Sequence, residues 1–571
     1  MRSNIAKIFV YLLFFFIFNL NFDANSSSKQ VLYSHKSISD YFSGLVSSNN
    51  NNHKLAIKYF NNLKHLKNDH DQFNREIIIA LVQSNKISES FLYLKKLKKE
   101  NINFFQANLL LGVNYLVEKK FNKSGKYFSS IIENKKFYDM ERLIAEILLN
   151  YVKIFNNRSY DFNGALLNVP GNYENLALIQ KALLNCYLDN EIADESFLKL
   201  IDSNTLNFMR YNFFYVNFLI SKNYENEAKK ILENKTNTFE HNLLLEQSRF
   251  FLNEGKGGTL KEMFNCANPN HLGAEFFYLI ANYYSGDEKH KLSNFYLNLS
   301  LYLNPDFIFN NLLLAENYFL LENFDDSRQI YSMFDSKNSV YDWYAQKRLA
   351  LIKSKLEDNE SALSFLNKSF KKINKPNAKH YYDLANFYKD FEKYEESIKY
   401  YNKVLSKVDN DDPMYPKILH KRGMSYERLK LWKKSDDDLT QSLNLFPKDP
   451  YVLNYLAYSW LERNINLDKS IEMLKMAFDQ KKDDPYIIDS LGWGMYLTGR
   501  YHEAERLLQK AVKLMPLDPI VNDHYGDILF KLDKNLQANY FWNYVISLEN
   551  TEEEMKEKIK KKLIFGIKNN S

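Results

Sequence analysis

The stretch from Pro450 to Leu548 writes one unit three times, and this periodicity constrains the fold more than any other feature. Leu456-Ala457 recurs as Leu491-Gly492 and as Tyr525-Gly526, so the small residue returns after 35 and then 34 positions. Each unit then carries a second small residue (Ser470, Ala504, Ala538) and, four positions on, a bulky apolar one (Leu474, Leu508, Trp542). Asp449-Pro450, Asp484-Pro485 and Asp518-Pro519 mark the junctions. A period of about 34 residues is the mark of a chain built from stacked supersecondary units.

The pattern resembles the tetratricopeptide repeat, two antiparallel helices per unit. The resemblance implies an all-α fold, a right-handed α-solenoid of stacked helix hairpins with a C-terminal capping helix. The small residues have a steric role in such a hairpin. Where the helices cross, a small side chain lets the backbones meet, and a large neighbour such as Leu508 fills the groove beside it. Each hairpin has an apolar face that only the next hairpin covers, so units stack and the ends need a polar cap. From His271 on, the first-helix small residue falls at Ala281, Ala315, Ala350, Ala385, Gly423, Ala457, Gly492 and Gly526. The second-helix one falls at Ser293, Ser327, Ala362, Ser397, Ser435, Ser470, Ala504 and Ala538. One long step, between Ala385 and Gly423, absorbs a loop from Asn410 to Pro416. Upstream the pattern is worn: Leu111-Gly112 with Ser124 and Phe128, Val216 with Ala228 and Leu232, Ala56 with Phe60, and Ala80 with Ser90 and Leu94. With 16 Gly and 11 Pro in 571 residues, few breakers interrupt the helices.

Arg2 and Lys7 accompany an apolar run from Ile8 to Phe18, the length of a signal-peptide core and short for a membrane span. Residues 1–24 therefore read as a signal peptide or, if uncut, an N-terminal anchor, and 25–36 as a linker. Residues 37–270 read as degenerate repeats, 271–549 as the well-formed array and 550–571 as a capping helix and tail. Thr551 and Glu554 have capping-box spacing, and Met555, Ile559 and Leu563 form a narrow apolar stripe. Cys186 and Cys266 suit either two small buried residues or a disulfide in an oxidising compartment.

A net charge of +6 on 76 basic and 70 acidic residues is not the concentrated footprint of a nucleic-acid binder. His502-Glu503-Ala504-Glu505-Arg506 has Arg506 where a zinc-protease helix requires its second histidine. Gly255-Lys256-Gly257-Gly258 lacks the ending of a phosphate loop and reads as a turn. No nucleophile elbow, Cys-x-x-Cys pair or dinucleotide fingerprint occurs. His420 and His524 read as isolated surface or packing residues. The expectation is a protein without enzymatic activity, cofactor or metal.

Tetratricopeptide proteins bind peptides or partner proteins in a concave groove lined by the first helices. The resemblance places Asn454, Tyr458, Asp489, Trp493, Tyr496, Asp523, Asp527 and Phe530 on that groove, an acidic and aromatic patch suited to a basic or amide-bearing chain. The bland alternative is that Trp493 and Tyr496 pack between neighbouring helices. The middle of the groove is more mixed, with Lys347, Lys379, Lys389, His420 and Arg428, and departs from the family's carboxylate clamp. Asp489-Ser490-Leu491-Gly492-Trp493 and Asn522-Asp523-His524-Tyr525-Gly526-Asp527 resemble exported, often outer-membrane-associated tetratricopeptide proteins of Gram-negative bacteria. Some of those are adaptors in periplasmic proteolysis or envelope assembly. Many are lipoproteins, whereas no cysteine lies near this N-terminus. The expectation is an exported scaffold or adaptor of the periplasm or cell envelope that binds protein or peptide partners. The alternatives are an inner-membrane-anchored periplasmic assembly factor, held through its N-terminus, and an enzyme with its site in the degenerate half.

Overall fold

A computed structural model describes residues 34–68, 70–98, 102–158, 174–202, 209–233, 242–334 and 339–567. The signal-peptide or anchor reading of residues 1–24, and most of the linker, lie outside the described residues. The described residues form thirty α-helices, one short 3-10 turn and no strand. None of these helices is long and apolar enough to cross a membrane.

The small residues act as steric gates. Every second-helix small residue from Ser293 to Ala538 is fully buried, as is each first-helix alanine from Ala281 to Ala457. A Cβ added to Gly423 would lie 2.9 Å from Leu439, at Gly492 2.8 Å from Leu508, and at Gly526 2.6 Å from Trp542. Ser327 Oγ uses the close approach to donate to the Ala315 carbonyl at 2.8 Å, and Ser124 Oγ to the Gly112 carbonyl at 2.7 Å.

The helix ends follow from their sequences as well. Asp449, Asp484 and Asp518 each accept from two backbone N–H groups of the following helix, at 2.9–3.2 Å, with proline in the first turn where its missing N–H costs nothing. The turn inside each hairpin passes through the left-handed region, at Glu392 (φ 61), Lys430 (φ 57), Asn464 (φ 54), Gly499 (φ 76) and Asp533 (φ 60).

The worn half is more regular than its sequence. The hairpins His35–Asn49 with His53–Asn61, Asp71–Gln83 with Ile87–Leu94, and Phe105–Val117 with Phe121–Glu133 place fully buried Ala56, Ser90 and Ser124 at intervals of 34 residues. Gly44, Ile78 and Gly112 precede them by 12, so Ile78 rather than Ala80 stands in the first-helix position. The bulk of Ile78 hides the repeat from a search for small residues.

Two compact units result. One comprises the described residues up to Ser221 together with Gly258–Ser327. Within it the helix Asp71–Gln83 packs against His290–Leu303, and Gln83 Nε2 donates to the Lys291 carbonyl at 2.6 Å. Cys186 and Cys266 form a disulfide, Cα atoms 5.9 Å apart, across 80 residues of chain. The buried Arg210 guanidinium donates to both carboxylate oxygens of Glu275 (2.9 and 2.7 Å) and to Asn310 (2.9 Å), with the Tyr278 ring 3.7 Å away.

The other unit comprises Lys222–Gly257 and the described residues from Arg328 on. One apolar core runs through it from Leu439 to Ile559. The last helix, Glu553–Phe565, closes this core with a fully buried Ile559, flanked by Met555 and Leu563 as the stripe predicts. The capping box does not form. Glu552 takes the N-cap position without a side-chain bond, while the Thr551 hydroxyl is buried and donates to the Val545 carbonyl at 2.6 Å. That carbonyl, in the last turn of the preceding helix, also accepts from the Leu548 N–H at 3.2 Å, so the threonine hydroxyl takes its second lone pair.

Candidate functional site

Three consecutive first helices, Pro450–Glu462, Pro485–Leu497 and Pro519–Lys531, lie side by side in the second unit. Their spacing of 34–35 residues brings equivalent positions into one row, and all eight expected residues fall on these helices.

The row is organised around Trp493. Its ring stacks on Tyr496 (4.7 Å between centroids, 11° between planes) and on His524 of the next helix (4.1 Å, 11°). Its indole N–H donates to Glu462 at 2.8 Å. Trp493 and Tyr496 are half-buried, and Trp493 sits between the neighbouring first helices, bonded to Glu462 of one and stacked on His524 of the other.

Asp489 is buried and meets His524 Nδ1 at 2.9 Å. Burial works against the His524 imidazolium, but the Asp489 carboxylate, with Asp523 and Asp527 behind it, outweighs that effect and raises the pKa. His524 is therefore a buried partner of the row, not an isolated residue. Two residues 35 apart become neighbours only when the hairpins stack.

Asp523 and Asp527 are engaged by the chain itself. Lys562, from the last helix, lies 2.6 Å from Asp523 and 2.7 Å from Asp527. Asp527 also accepts from the Trp542 indole at 3.0 Å. Burial disfavours the Lys562 ammonium, yet the two carboxylates hold its pKa up. Lys562 escapes a sequence reading because a lysine in a lysine-rich helix looks like a solvated one. Glu462 is the acid of this row that faces solvent.

The remaining expected residues line the same row. Tyr458 is largely buried, and burial, with Glu462 and Asp489 nearby, pushes its hydroxyl pKa well up. The Asn454 Oδ1 is buried and has no hydrogen-bond partner. Phe530 packs on Trp542 at 5.5 Å. Further back, Lys347 pairs with Asp383 (2.7 Å), Lys389 with Asp390 (2.6 Å) and Arg428 with Glu427 (3.8 Å), and Lys379 is half-buried. Burial pushes the His420 pKa down to about 4, and its Nε2 has no partner.

A stack of helix hairpins that carries one half-buried aromatic row, with its charges largely paired off inside, is a repeat scaffold. Residues 378–406 match the family model of the tetratricopeptide repeat, and with hairpins of the same build on either side the chain is a tetratricopeptide repeat protein. It is 31% identical over 110 residues to a TPR repeat-containing protein of Pseudomonas aeruginosa, covering 19% of this chain and 18% of that one. It is 36% identical over 105 residues to the lipoprotein NlpI homolog of Haemophilus influenzae, covering 18% and 32%. The chain thus spans under a third of either curated relative. Among solved structures, a tetratricopeptide repeat protein from Parabacteroides merdae aligns at 14% identity with a TM-score of 0.35, over 50% of this chain and 98% of that one.

Proposed function

We propose that the chain is an exported, non-enzymatic scaffold that holds a protein or peptide partner on the first-helix row of its last hairpins. The observation that carries this reading is the stacked, half-buried Trp493–Tyr496 pair beside acids that already have basic partners within the chain. The row offers a partner the accessible parts of its half-buried rings and the Glu462 carboxylate. Recognition then rests on aromatic contact and hydrogen bonds, with basic side chains limited to Glu462. The apolar run Ile8–Phe18 and the likeness to a lipoprotein support a place in the cell envelope.

Photo-crosslinking in cells tests this. A photoreactive aromatic residue at Tyr458 or Tyr496 is expected to capture discrete partners, and one at the exposed Arg506 on a second helix is not. Trp493→Ala should abolish the capture. Equal capture from Arg506, or capture unchanged in Trp493→Ala, overturns the assignment. N-terminal sequencing of the exported protein separates a cleaved signal, starting near residue 25, from a membrane-anchored form that retains Met1.

A further inference from the structure

One helix of the first unit is packed inside out. His35–Asn49 buries Gly44, Ser47 and Ser48 and exposes Ile38 by 45%, Phe42 by 60% and Val46 by 57%. The three stand four residues apart and form one stripe. The repeat register tells what such a stripe is built to meet. Val46 lies two residues after the small residue Gly44, as do Asn317 after Ala315, Ser425 after Gly423 and Gly494 after Gly492. Those three are buried against the preceding hairpin. Asn317 Nδ2 donates to Ser293 at 2.8 Å, the Ser425 and Ser397 hydroxyls share a bond at 3.1 Å, and a Cβ at Gly494 would lie 2.6 Å from Ile471 and 3.1 Å from Leu461. Phe42 lies two residues before Gly44, as do Tyr455 before Ala457 and His524 before Gly526. Tyr455 donates to Glu427 at 2.9 Å and His524 stacks on Trp493, each a residue of the preceding first helix. The exposed stripe is therefore a hairpin-stacking face with no hairpin before it among the described residues.

The stripe itself carries no charge. Lys36 and Asp40 are the charged residues of this helix, and Asp40 is turned to its own hairpin, where it accepts from Asn62 at 3.1 Å. The chain just upstream, Asn25-Ser26-Ser27-Ser28-Lys29-Gln30, is polar and does not match an apolar face. The last helix, Glu553–Phe565, closes its stacking face with Ile559 and turns Glu553, Glu557, Lys560 and Lys561 to solvent. A copy stacked head to tail on that helix would take those charges out of water. The stripe fits a second copy of itself instead. Its spacing is symmetric about Phe42, so two antiparallel copies related by a twofold axis set Phe42 on Phe42 and Ile38 on Val46.

We propose that the chain forms a homodimer through this face, with Ile38, Phe42 and Val46 of two copies packed about a twofold axis. The first helix of the second copy takes the place of the missing preceding hairpin and continues the stacking that holds the rest of the array. Each copy spends the same face, so the assembly closes at two. One helix pair is a small interface, which sets a dissociation constant on the order of micromolar.

Sedimentation velocity of the full chain from about 1 to 100 µM tests this. The chain is expected to pass from monomer to dimer over that range, and Phe42→Asp should hold it monomeric. Leu536→Asp, at an exposed site on another helix, should leave the dimer intact. The disulfide leaves no free thiol among the described residues, and the sequence has two cysteines in all, so Phe42→Cys adds a single thiol on the twofold axis. Mild oxidation should join two such chains covalently, and Leu536→Cys should give no such product. A wild-type chain that stays monomeric overturns the proposal and assigns the stripe to a segment of the chain itself or to another protein. Association that survives Phe42→Asp also overturns it, since such association would run through the apolar run Ile8–Phe18 or another face. Equal cross-linking at Phe42→Cys and Leu536→Cys does the same.

Discussion

At the scale of single residues, the protein depends on what is small and on what is paired. Gly492 has no room for a methyl group, because a Cβ would sit 2.8 Å from Leu508 Cγ and 3.2 Å from Leu507. Gly492→Ala is therefore expected to cost about 1–3 kcal/mol by overpacking, against a small helix-propensity gain, and urea unfolding measures the balance. His524 makes the same region sensitive to pH. Its imidazole holds a proton more tightly in the folded chain than in the unfolded one, since Asp489 outweighs burial. The stability it contributes is whole below pH 6.5 and is lost as pH rises through the raised folded value. The unfolding midpoint of this unit should thus fall from pH 6.5 upward, and His524→Gln should flatten that slope. A slope unchanged in the variant would assign it to other groups. The aromatic row itself was legible from repeat spacing, because equivalent positions on stacked helices share a face. The neutralisation of its acids was not, because Lys562 and His524 lie 35–39 residues from the carboxylates they meet.

At the scale of elements, each hairpin is a local solution, and its weak points are its turns and its last helix. Lys430 holds φ 57 between the helices Tyr415–Arg428 and Trp432–Leu445, a conformation that glycine adopts freely and lysine does not. Lys430→Gly is expected to stabilise this unit by about 0.5–1 kcal/mol, after allowing for the extra freedom glycine gives the unfolded chain. A loss of stability would mean that the lysine side chain matters more than its backbone. The helix Glu553–Phe565 is tied down by Ile559 in the core and by Lys562 on two carboxylates. Lys562→Met keeps the stem and removes the charge, leaving Asp523 and Asp527 beside each other without a cation. The expected cost is roughly 1–3 kcal/mol, below the about 3–5 kcal/mol for breaking a fully buried pair because Lys562 keeps some exposure. Hydrogen exchange across residues 553–565 should rise in that variant. The Asp-Pro caps were readable in advance because a cap is a contact between neighbours in sequence. The capping box failed because its threonine found a buried carbonyl six residues back.

At the scale of the whole molecule, the two units are held by different means. The second is a run of hairpins with successive apolar clusters shared between neighbours, the largest from Leu439 to Ile559, so its stability is spread along the chain. The first is cross-linked by long-range contacts: the Cys186–Cys266 disulfide, the Arg210–Glu275 pair and the packing of Asp71–Gln83 on His290–Leu303. Cys186→Ser with Cys266→Ser should therefore destabilise the first unit by about 2–5 kcal/mol. Exchange protection should fall in helices Glu174–Leu188 and Pro269–Gly286 and hold in Pro450–Glu462, and loss of protection in all three would mean that the units unfold together. By itself the sequence determined the helical hairpin, its 34-residue period and the identity of the first-helix row, because these rest on steric spacing and on contacts within about one repeat. Only the tertiary structure decided that the two cysteines join, that the worn hairpins keep the same period, and that Asp489, Asp523 and Asp527 already have basic partners. Those outcomes depend on which distant side chains the stacking brings within hydrogen-bond reach, a distance in space that spacing along the chain does not encode.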